Sequence, residues 1–163
     1  MLITIGIMVM IFCFSGQTRE SSNSLSSEIT NILIKIKKWI DSFLPVQGYD
    51  GEYEPGTYSL FDDLNHYVRK LAHLTEFAML GMSVHFHLKA RTEYYEKAFG
   101  RIYILYSLLI GAVYAISDEV HQLFVSGRGA QVKDVIIDTV GVFLGIMISV
   151  FVMHRIAKKK VKA

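Results

Sequence analysis

The sequence predicts an all-α, polytopic membrane protein of a single domain. The chain of 163 residues is 52% hydrophobic, and its mean hydropathy of +0.34 is too high for an ordinary soluble domain. The apolar residues are concentrated in four runs, and a further stretch has helical periodicity but too much charge to cross a bilayer. We therefore expect four transmembrane helices, with one amphipathic interfacial helix between the first and the second.

The first apolar run covers residues 1–14. It lacks a basic start and a clear cleavage site, so it predicts a transmembrane helix at about 1–17 rather than a secretory signal. The polar, serine-rich residues 17–28 that follow predict a loop, in which Ser26 or Ser27 could cap the next helix. The single cysteine of the chain gives no disulfide framework and no paired thiolates for a metal.

An amphipathic helix is predicted at 29–44, where apolar residues recur with the period of a helix. Its lysines lie mostly on the other face and Trp39 suits an interface, so we expect it on the membrane surface. A helix that simply packs against the spans is the alternative. The Gly-, Tyr- and acid-rich residues 45–63 predict a loop, and the whole segment 18–69 is expected to be extracytoplasmic.

The remaining spans are expected at 70–88, 102–123 and 134–153. The second span carries Glu76 and several histidines, so hydropathy alone scores it low. Basic residues dominate the connector after it and the tail at 154–163. By the positive-inside rule, both of these segments should be cytoplasmic, which also places both termini there.

Polar residues on the spans share helical faces with small residues. Asp134 and Asp138 are four residues apart, and Gly141 and Gly145 continue the same stripe. Small residues allow helices to approach closely in lipid, so this stripe should face other helices. Together with a similar stripe on the third span, it predicts one polar layer at the outer ends of the helices: Lys70, His73, Glu76, Asp118, Glu119, His121, Gln122, Arg128, Asp134 and Asp138.

Four interpretations of this layer are open. It could be an ion-pair network, a ligand site for a polar head group, or an acid–base catalytic site. The candidates for catalysis are Asp118, Glu119, His121 and Asp134. A metal is the fourth interpretation, but no tightly spaced ligand motif occurs, so neither a metal nor another cofactor is assigned. His85 and His87 are expected to snorkel at the cytoplasmic end without a role.

The order and spacing of these residues resemble the VanZ-like membrane protein family over almost the whole chain. The motifs that carry the resemblance are Lys70-x-x-His73-x-x-Glu76-Phe77-x-x-Leu80-Gly81, Asp118-Glu119-x-His121-Gln122, Gly127-Arg128 and Asp134-x-x-x-Asp138-x-x-Gly141-x-x-x-Gly145. Two positions depart from the pattern. Phe77 stands where the family often has tyrosine, and Asp138 stands where asparagine is common, which adds a charge to the layer.

The resemblance implies a protein of the bacterial plasma membrane, since the founding member is associated with teicoplanin resistance in Gram-positive bacteria. The first hypothesis is a non-enzymatic envelope protein that binds a lipid-linked cell-wall precursor or a lipoglycopeptide at the outer leaflet. The second is a membrane-embedded hydrolase or transferase that acts on a lipid-linked head group. The third is a structural partner that assembles other membrane enzymes through its Gly141/Gly145 face. The bilayer is the expected partner, and no nucleic acid is expected.

Overall fold

The computed structural model describes residues 1–43, 57–92 and 100–162. Within these ranges the chain forms five helices and no strand, which confirms the all-α class. The helices are α1 (Leu2–Ser15), α2 (Arg19–Phe43), α3 (Thr57–Thr92), α4 (Gly100–Gln122) and α5 (Val132–Lys162).

Two of the described helices are long and apolar enough to cross a membrane, Ile102–Gln122 with 21 residues and Val132–Lys158 with 27. They correspond to the third and fourth predicted spans. The 14 residues of α1 reach only about 21 Å, short of the roughly 30 Å hydrocarbon core. A third candidate arises only if Leu2–Ser15 and Glu20–Lys37, which meet at 101°, count as one span. The presence of four spans therefore remains a prediction.

Helix α3 contains the second predicted span and is much longer than that span. It has 36 residues and begins at Thr57, so the loop predicted at 45–63 is wrong for residues 57–63, while 45–56 lie outside the described residues. Its charged and histidine side chains keep its hydropathy below that of α4 and α5. The length of α3, about 54 Å, lets one helix pack along the whole bundle and extend beyond it toward α2.

Helix α2 begins earlier than the sequence predicts. The loop expected at 17–28 is wrong for residues 19–28, which are helical. Ser26 and Ser27 lie inside the helix, and their hydroxyls donate to the carbonyl oxygens of Ser22 and Ser24 at 2.9 and 2.7 Å. These back-bonds satisfy the serines without leaving the helix, so neither serine is an N-cap.

Helix α2 has an apolar face that is exposed on the isolated chain. The exposed apolar side chains of this face are Ile29, Ile32, Leu33, Ile36 and Trp39. Such a stripe suits burial in the boundary between head groups and acyl chains. The position of α2 on a membrane surface stays a prediction.

Among the five described helices, the most extensive contact is the seam between α3 and α5. A methyl group added at Gly141 or Gly145 would meet the backbone of Leu74 or Ala78, and one added at Gly81 would meet the backbone of Val142. These glycines allow the two backbones to approach closely. The inward-facing glycine stripe is thus confirmed, and the hypothesis that it docks other proteins is wrong, because α3 already covers it.

The core of the bundle lies along this seam and extends to α1 and α4. Its fully buried side chains include Ile11, Phe77, Leu80, Ala115, Val142 and Ile146. By contrast, α4 and α5 expose Val113, Phe143 and Ile148 on their outer faces, as expected for surfaces that contact lipid. This packing brings the Gln122 end of α4 and the Val132 end of α5 together beside the middle of α3.

Candidate functional site

A polar cavity of about 190 Å³ lies where the end of α4, the loop to α5 and the start of α5 meet α2 and α3. Seven of the ten residues predicted for the polar layer line it: Lys70, His73, Glu119, Gln122, Arg128, Asp134 and Asp138. Their neighbours in the lining are Ser22, His66, Arg69, Gly127, Gly129, Gln131 and Ile137. Side chains of both charge signs therefore converge on one half-enclosed space.

Asp118 lies near the end of α4, outside the cavity lining, and is held by neutral donors. The hydroxyl of Ser15 donates to Oδ2 of Asp118 at 2.7 Å, and Nε2 of Gln122 donates to the same oxygen at 3.0 Å. Gln122 also donates to the Ser15 hydroxyl at 3.2 Å. Because both donors use one carboxylate oxygen, the other oxygen of Asp118 is left for a different contact.

The inner wall of the cavity includes His73 of α3 and Asp138 of α5, and Asp118 of α4 lies beside them. Ligand-type atoms of His73, Asp118 and Asp138 lie within 4.8 Å of one another. Asp138 is 1% exposed and Asp118 is 3% exposed. The two acids are thus buried side by side with an imidazole between helices, an arrangement that could hold a cation.

The rim of the cavity is formed by ion pairs and charged hydrogen bonds. Lys70 of α3 forms a salt bridge with Asp134 of α5. Arg69 donates to Oδ1 of Asn23 at 2.8 Å, which links α3 to α2. The Lys70 and Asp134 side chains are 25% and 30% exposed, so solvent screens their attraction more than it would on the inner wall.

The loop between α4 and α5 closes the cavity from above. Glu119 is buried and accepts the backbone N–H of Gln131 at 2.8 Å, so its neighbour differs from that of Asp118. Gly127 has φ = 74°, a left-handed conformation that glycine adopts at little cost. This turn places Arg128 in the lining.

Arg128 brings a positive charge toward the acids. Burial lowers the pKa of its guanidinium, while the nearby carboxylates of Asp118, Glu119 and Glu76 oppose the shift by favouring the charged form. A guanidinium stays protonated in proteins. Arg128 therefore presents a planar, charged fork of donors to the cavity.

Besides Asp118, two residues predicted for the layer, His121 and Glu76, lie outside the cavity lining. His121 stacks on Phe12 of α1, with ring centroids 4.0 Å apart and an interplanar angle of 13°. It faces α1 rather than the cavity. Glu76 lies within electrostatic range of Asp118 and Arg128 but does not line the cavity either.

Sequence reasoning missed several residues that frame the site. Ser15 was not predicted because α1 meets Asp118 only through tertiary packing. Ser22 lies in a segment that was taken for a loop. A signal did exist for His66 and Arg69, which fall on the same helical face as Lys70 and His73 once α3 is extended to Thr57.

The opposite end of the bundle corrects one further prediction. His85 is 1% exposed and its Nδ1 lies 2.9 Å from the hydroxyl of Ser149. The expectation that His85 snorkels is therefore wrong, because a partner on α5 satisfies the ring inside the bundle. Nδ1 of His87 lies 3.1 Å from the amino group of Met1.

Comparisons with known proteins give one match. The family model described as VanZ/LLP1 matches residues 1–153, which include α1 to α4 and most of α5. No curated protein and no solved structure matches the chain.

Proposed function

Because the chain belongs to the VanZ/LLP1 family, we propose that it is an integral protein of the bacterial plasma membrane that binds the polar head group of a lipid-linked or lipidated ligand. The observation that carries this proposal is the cavity with charges of both signs at the ends of two membrane-length helices. Ionisable groups are costly in such a place and are typical of functional sites.

The size of the cavity favours a head group over a whole antibiotic. Its volume of about 190 Å³ corresponds to about six waters at about 30 Å³ each. Sites that enclose drug-sized ligands have volumes of about 300–1,000 Å³. A phosphate or part of a sugar fits this space, while the lipid tail of the ligand stays in the bilayer.

The charges of the cavity suit a phosphate or a zwitterionic group. Arg128 offers a bidentate fork and Lys70 a point charge, both of which favour phosphate oxygens. Asp134 lies beside Lys70 and can accept from an amine of the same head group. Since Lys70 and Asp134 are partly exposed, they can exchange their mutual pairing for a ligand at modest cost.

The cavity is proposed to face the outer leaflet. It lies at the ends of α4 and α5 opposite to the basic residues Arg155 and Lys158, which favour the cytoplasmic side. Both termini would then be cytoplasmic in a multi-pass protein. The 101° angle between Leu2–Ser15 and Glu20–Lys37 allows α2 to lie along the membrane surface if α1 stands upright.

Binding is favoured over catalysis by the engagement of three of the four catalytic candidates. Glu119 accepts a backbone N–H, Asp134 pairs with Lys70, and His121 stacks on Phe12. Binding a head group requires no proton transfer to or from these residues, whereas acid–base catalysis does. The alternative is a membrane-embedded hydrolase or transferase acting on a lipid-linked cell-wall head group, and release of phosphate or a cleaved head group from such a lipid would identify it.

The biological consequence proposed for this binding is lower susceptibility to teicoplanin-type glycopeptides. The test is expression of the full chain in a susceptible Gram-positive host. The inhibitory concentration of teicoplanin should rise, while that of a glycopeptide without a lipid tail should not. The variant Arg128→Gln should abolish the rise, whereas Lys133→Gln should keep it, because Lys133 is exposed and outside the cavity lining.

A binding measurement on the purified protein separates the site from the phenotype. Undecaprenyl phosphate titrated into the detergent-solubilised protein should bind at least tenfold more weakly to Arg128→Gln than to wild type and Lys133→Gln. Equal binding by all three proteins would show that the cavity is not the site. An unchanged teicoplanin concentration on expression, with the protein present in the membrane, would refute the resistance function.

A further inference from the structure

Three side chains from three different helices converge beside the cavity, and two of them line it. His73 lies on α3, Asp118 on α4 and Asp138 on α5. Each offers one ligand-type atom, and these atoms all lie within 4.8 Å of one another. No spacing along the sequence connects the three residues, so only the packing of the helices brings them together.

Each of the three residues also has a buried polar atom without a hydrogen-bond partner among the residues that the structure describes. These atoms are Nδ1 of His73, Oδ1 of Asp118 and Oδ2 of Asp138. Both aspartates are more than nine-tenths buried, with exposures of 3% and 1%. A buried carboxylate without a partner is strongly destabilising, so the arrangement calls for a positively charged ligand.

We propose that His73, Asp118 and Asp138 bind one divalent transition-metal cation through an imidazole nitrogen and two carboxylate oxygens. A mixed nitrogen and oxygen donor set suits borderline cations such as Zn²⁺ and Mn²⁺. His73 and Asp138 also line the cavity, so a remaining coordination position opens to water or to an oxygen of a bound group. This site is independent of the proposed head-group binding.

The hydrogen bonds of Asp118 suit a metal ligand, because they hold the carboxylate in one orientation and leave one of its oxygens for the cation. Ser15 and Gln122 both donate to Oδ2, at 2.7 and 3.0 Å, while Oδ1 lacks a partner. Contacts of this kind fix the orientation of a ligating carboxylate. Ser15 and Gln122 are thus positioning residues, which act on the cation through Asp118.

The local charge balance supports a cation at this place. The carboxyl groups in and around the cavity are Glu76, Asp118, Glu119, Asp134 and Asp138, and the cationic side chains are Arg69, Lys70 and Arg128. Lys70 is engaged with Asp134 at the rim. A divalent cation would favour the ionised form of the two buried aspartates, Asp118 and Asp138.

The distances require only a small adjustment of the side chains. Ligand atoms about 2.1 Å from a tetrahedral cation lie about 3.4 Å apart. The observed separations are bounded by 4.8 Å, so the three groups would move together by about an ångström. Rotation about the aspartate side-chain bonds can supply such a shift without moving the helices.

The experiment is a titration of Zn²⁺ into the full chain, purified in detergent and stripped of metal by EDTA, followed by isothermal calorimetry. We expect one ion per chain. Asp138→Asn and Asp118→Asn should each weaken binding at least 100-fold, and Ser15→Ala should weaken it about tenfold. Lys133→Gln is the control on the same helix, because Lys133 is exposed and outside the cavity lining, and the Zn²⁺ affinity of this variant should stay within threefold of wild type.

Two readouts keep the result independent of folding and of lipid binding. Wild type should gain thermal stability with Zn²⁺, as linkage requires, and X-ray absorption should show only nitrogen and oxygen ligands. Absence of stoichiometric binding to folded wild type, or equal affinity in wild type and Asp138→Asn, would overturn the metal site. These measurements contain no lipid ligand. The protein can therefore lack a metal site and still bind undecaprenyl phosphate, or bind the metal and not the lipid.

Discussion

The two ends of the helix bundle both contain buried polar groups, but they satisfy them differently. At the end that holds Met1, the hydroxyls of Thr4 and Ser83 lie 2.8 Å apart, and His85 pairs with Ser149. These partners are neutral side chains on different helices. At the cavity end, acids and cations meet, and Asp118 and Asp138 each keep a buried oxygen that has no hydrogen-bond partner within the described part of the chain.

This difference distinguishes polar groups that serve helix packing from polar groups that serve function. A polar group that is fully paired inside the bundle costs little and helps to fix how the helices dock. A carboxylate that is buried and only half satisfied raises the energy of the protein unless a ligand completes it. We therefore interpret the Met1 end as a structural end and the cavity end as the site of binding.

The largest effect on stability is expected from a substitution that disrupts the seam between α3 and α5, because this seam positions both ends of the bundle. The Cβ of Gly145→Ala would collide with the backbone of Ala78, which cannot move aside without shifting α3. Overpacking of this kind costs about 1–3 kcal/mol and sometimes more, so the thermal unfolding temperature in detergent should fall strongly.

The matched control for this seam is Gly6→Ala in α1. A Cβ at Gly6 meets no atom within 4 Å, and alanine forms helices better than glycine by about 1 kcal/mol. The unfolding temperature of Gly6→Ala should stay equal to that of wild type or rise. An unfolding temperature of Gly145→Ala as high as that of Gly6→Ala would contradict the close approach of α3 and α5.

The next effect concerns the structural end. Ser149→Ala leaves the buried His85 ring without the partner at 2.9 Å, which should cost about 1–3 kcal/mol of unfolding free energy. Zn²⁺ affinity and undecaprenyl phosphate binding should be unchanged. The double variant His85→Leu with Ser149→Ala should recover part of the loss, because no polar group is then stranded. If Ser149→Ala lost ligand binding but kept its stability, the Met1 end would also contribute to binding. The two ends would then not differ in role.

The smallest effect is expected at the rim of the cavity. A double-mutant cycle with Lys70→Met and Asp134→Asn should give a coupling free energy of about 1 kcal/mol or less, since the two side chains are 25% and 30% exposed. The coupling should shrink as salt is raised. A coupling above about 3 kcal/mol that is insensitive to salt would instead support an ion-pair network as the main role of the polar layer.

Helical spacing correctly predicted which faces of α4 and α5 turn inward. Gly111, Ala115, Asp118 and Gln122 are all buried, as their common stripe requires. The same reasoning placed His121 in the layer, but it stacks on Phe12 instead. Spacing defines a face only to within a broad angle, and a residue beside the stripe can turn to either neighbour.

Polar composition misled the prediction in α2. The serines at 19–28 suggest a loop because their side chains compete with backbone hydrogen bonds. In the structure, Ser26 donates back to the helix and Arg69 contacts Asn23 from α3. Helix formation there is supported by tertiary contacts, which local propensity does not contain.

The sequence by itself determined the helical class, the membership of the family, the inward glycine stripe of α5 and half of the residues that line the cavity. These features depend on periodicity and composition, which are local properties of the chain. Only the tertiary structure decided that Ser15 would orient Asp118, that His121 would leave the site, and that His73, Asp118 and Asp138 would lie within 4.8 Å. The reason is that contacts between helices depend on their rotation and depth in the bundle, and these are set by packing over the whole seam.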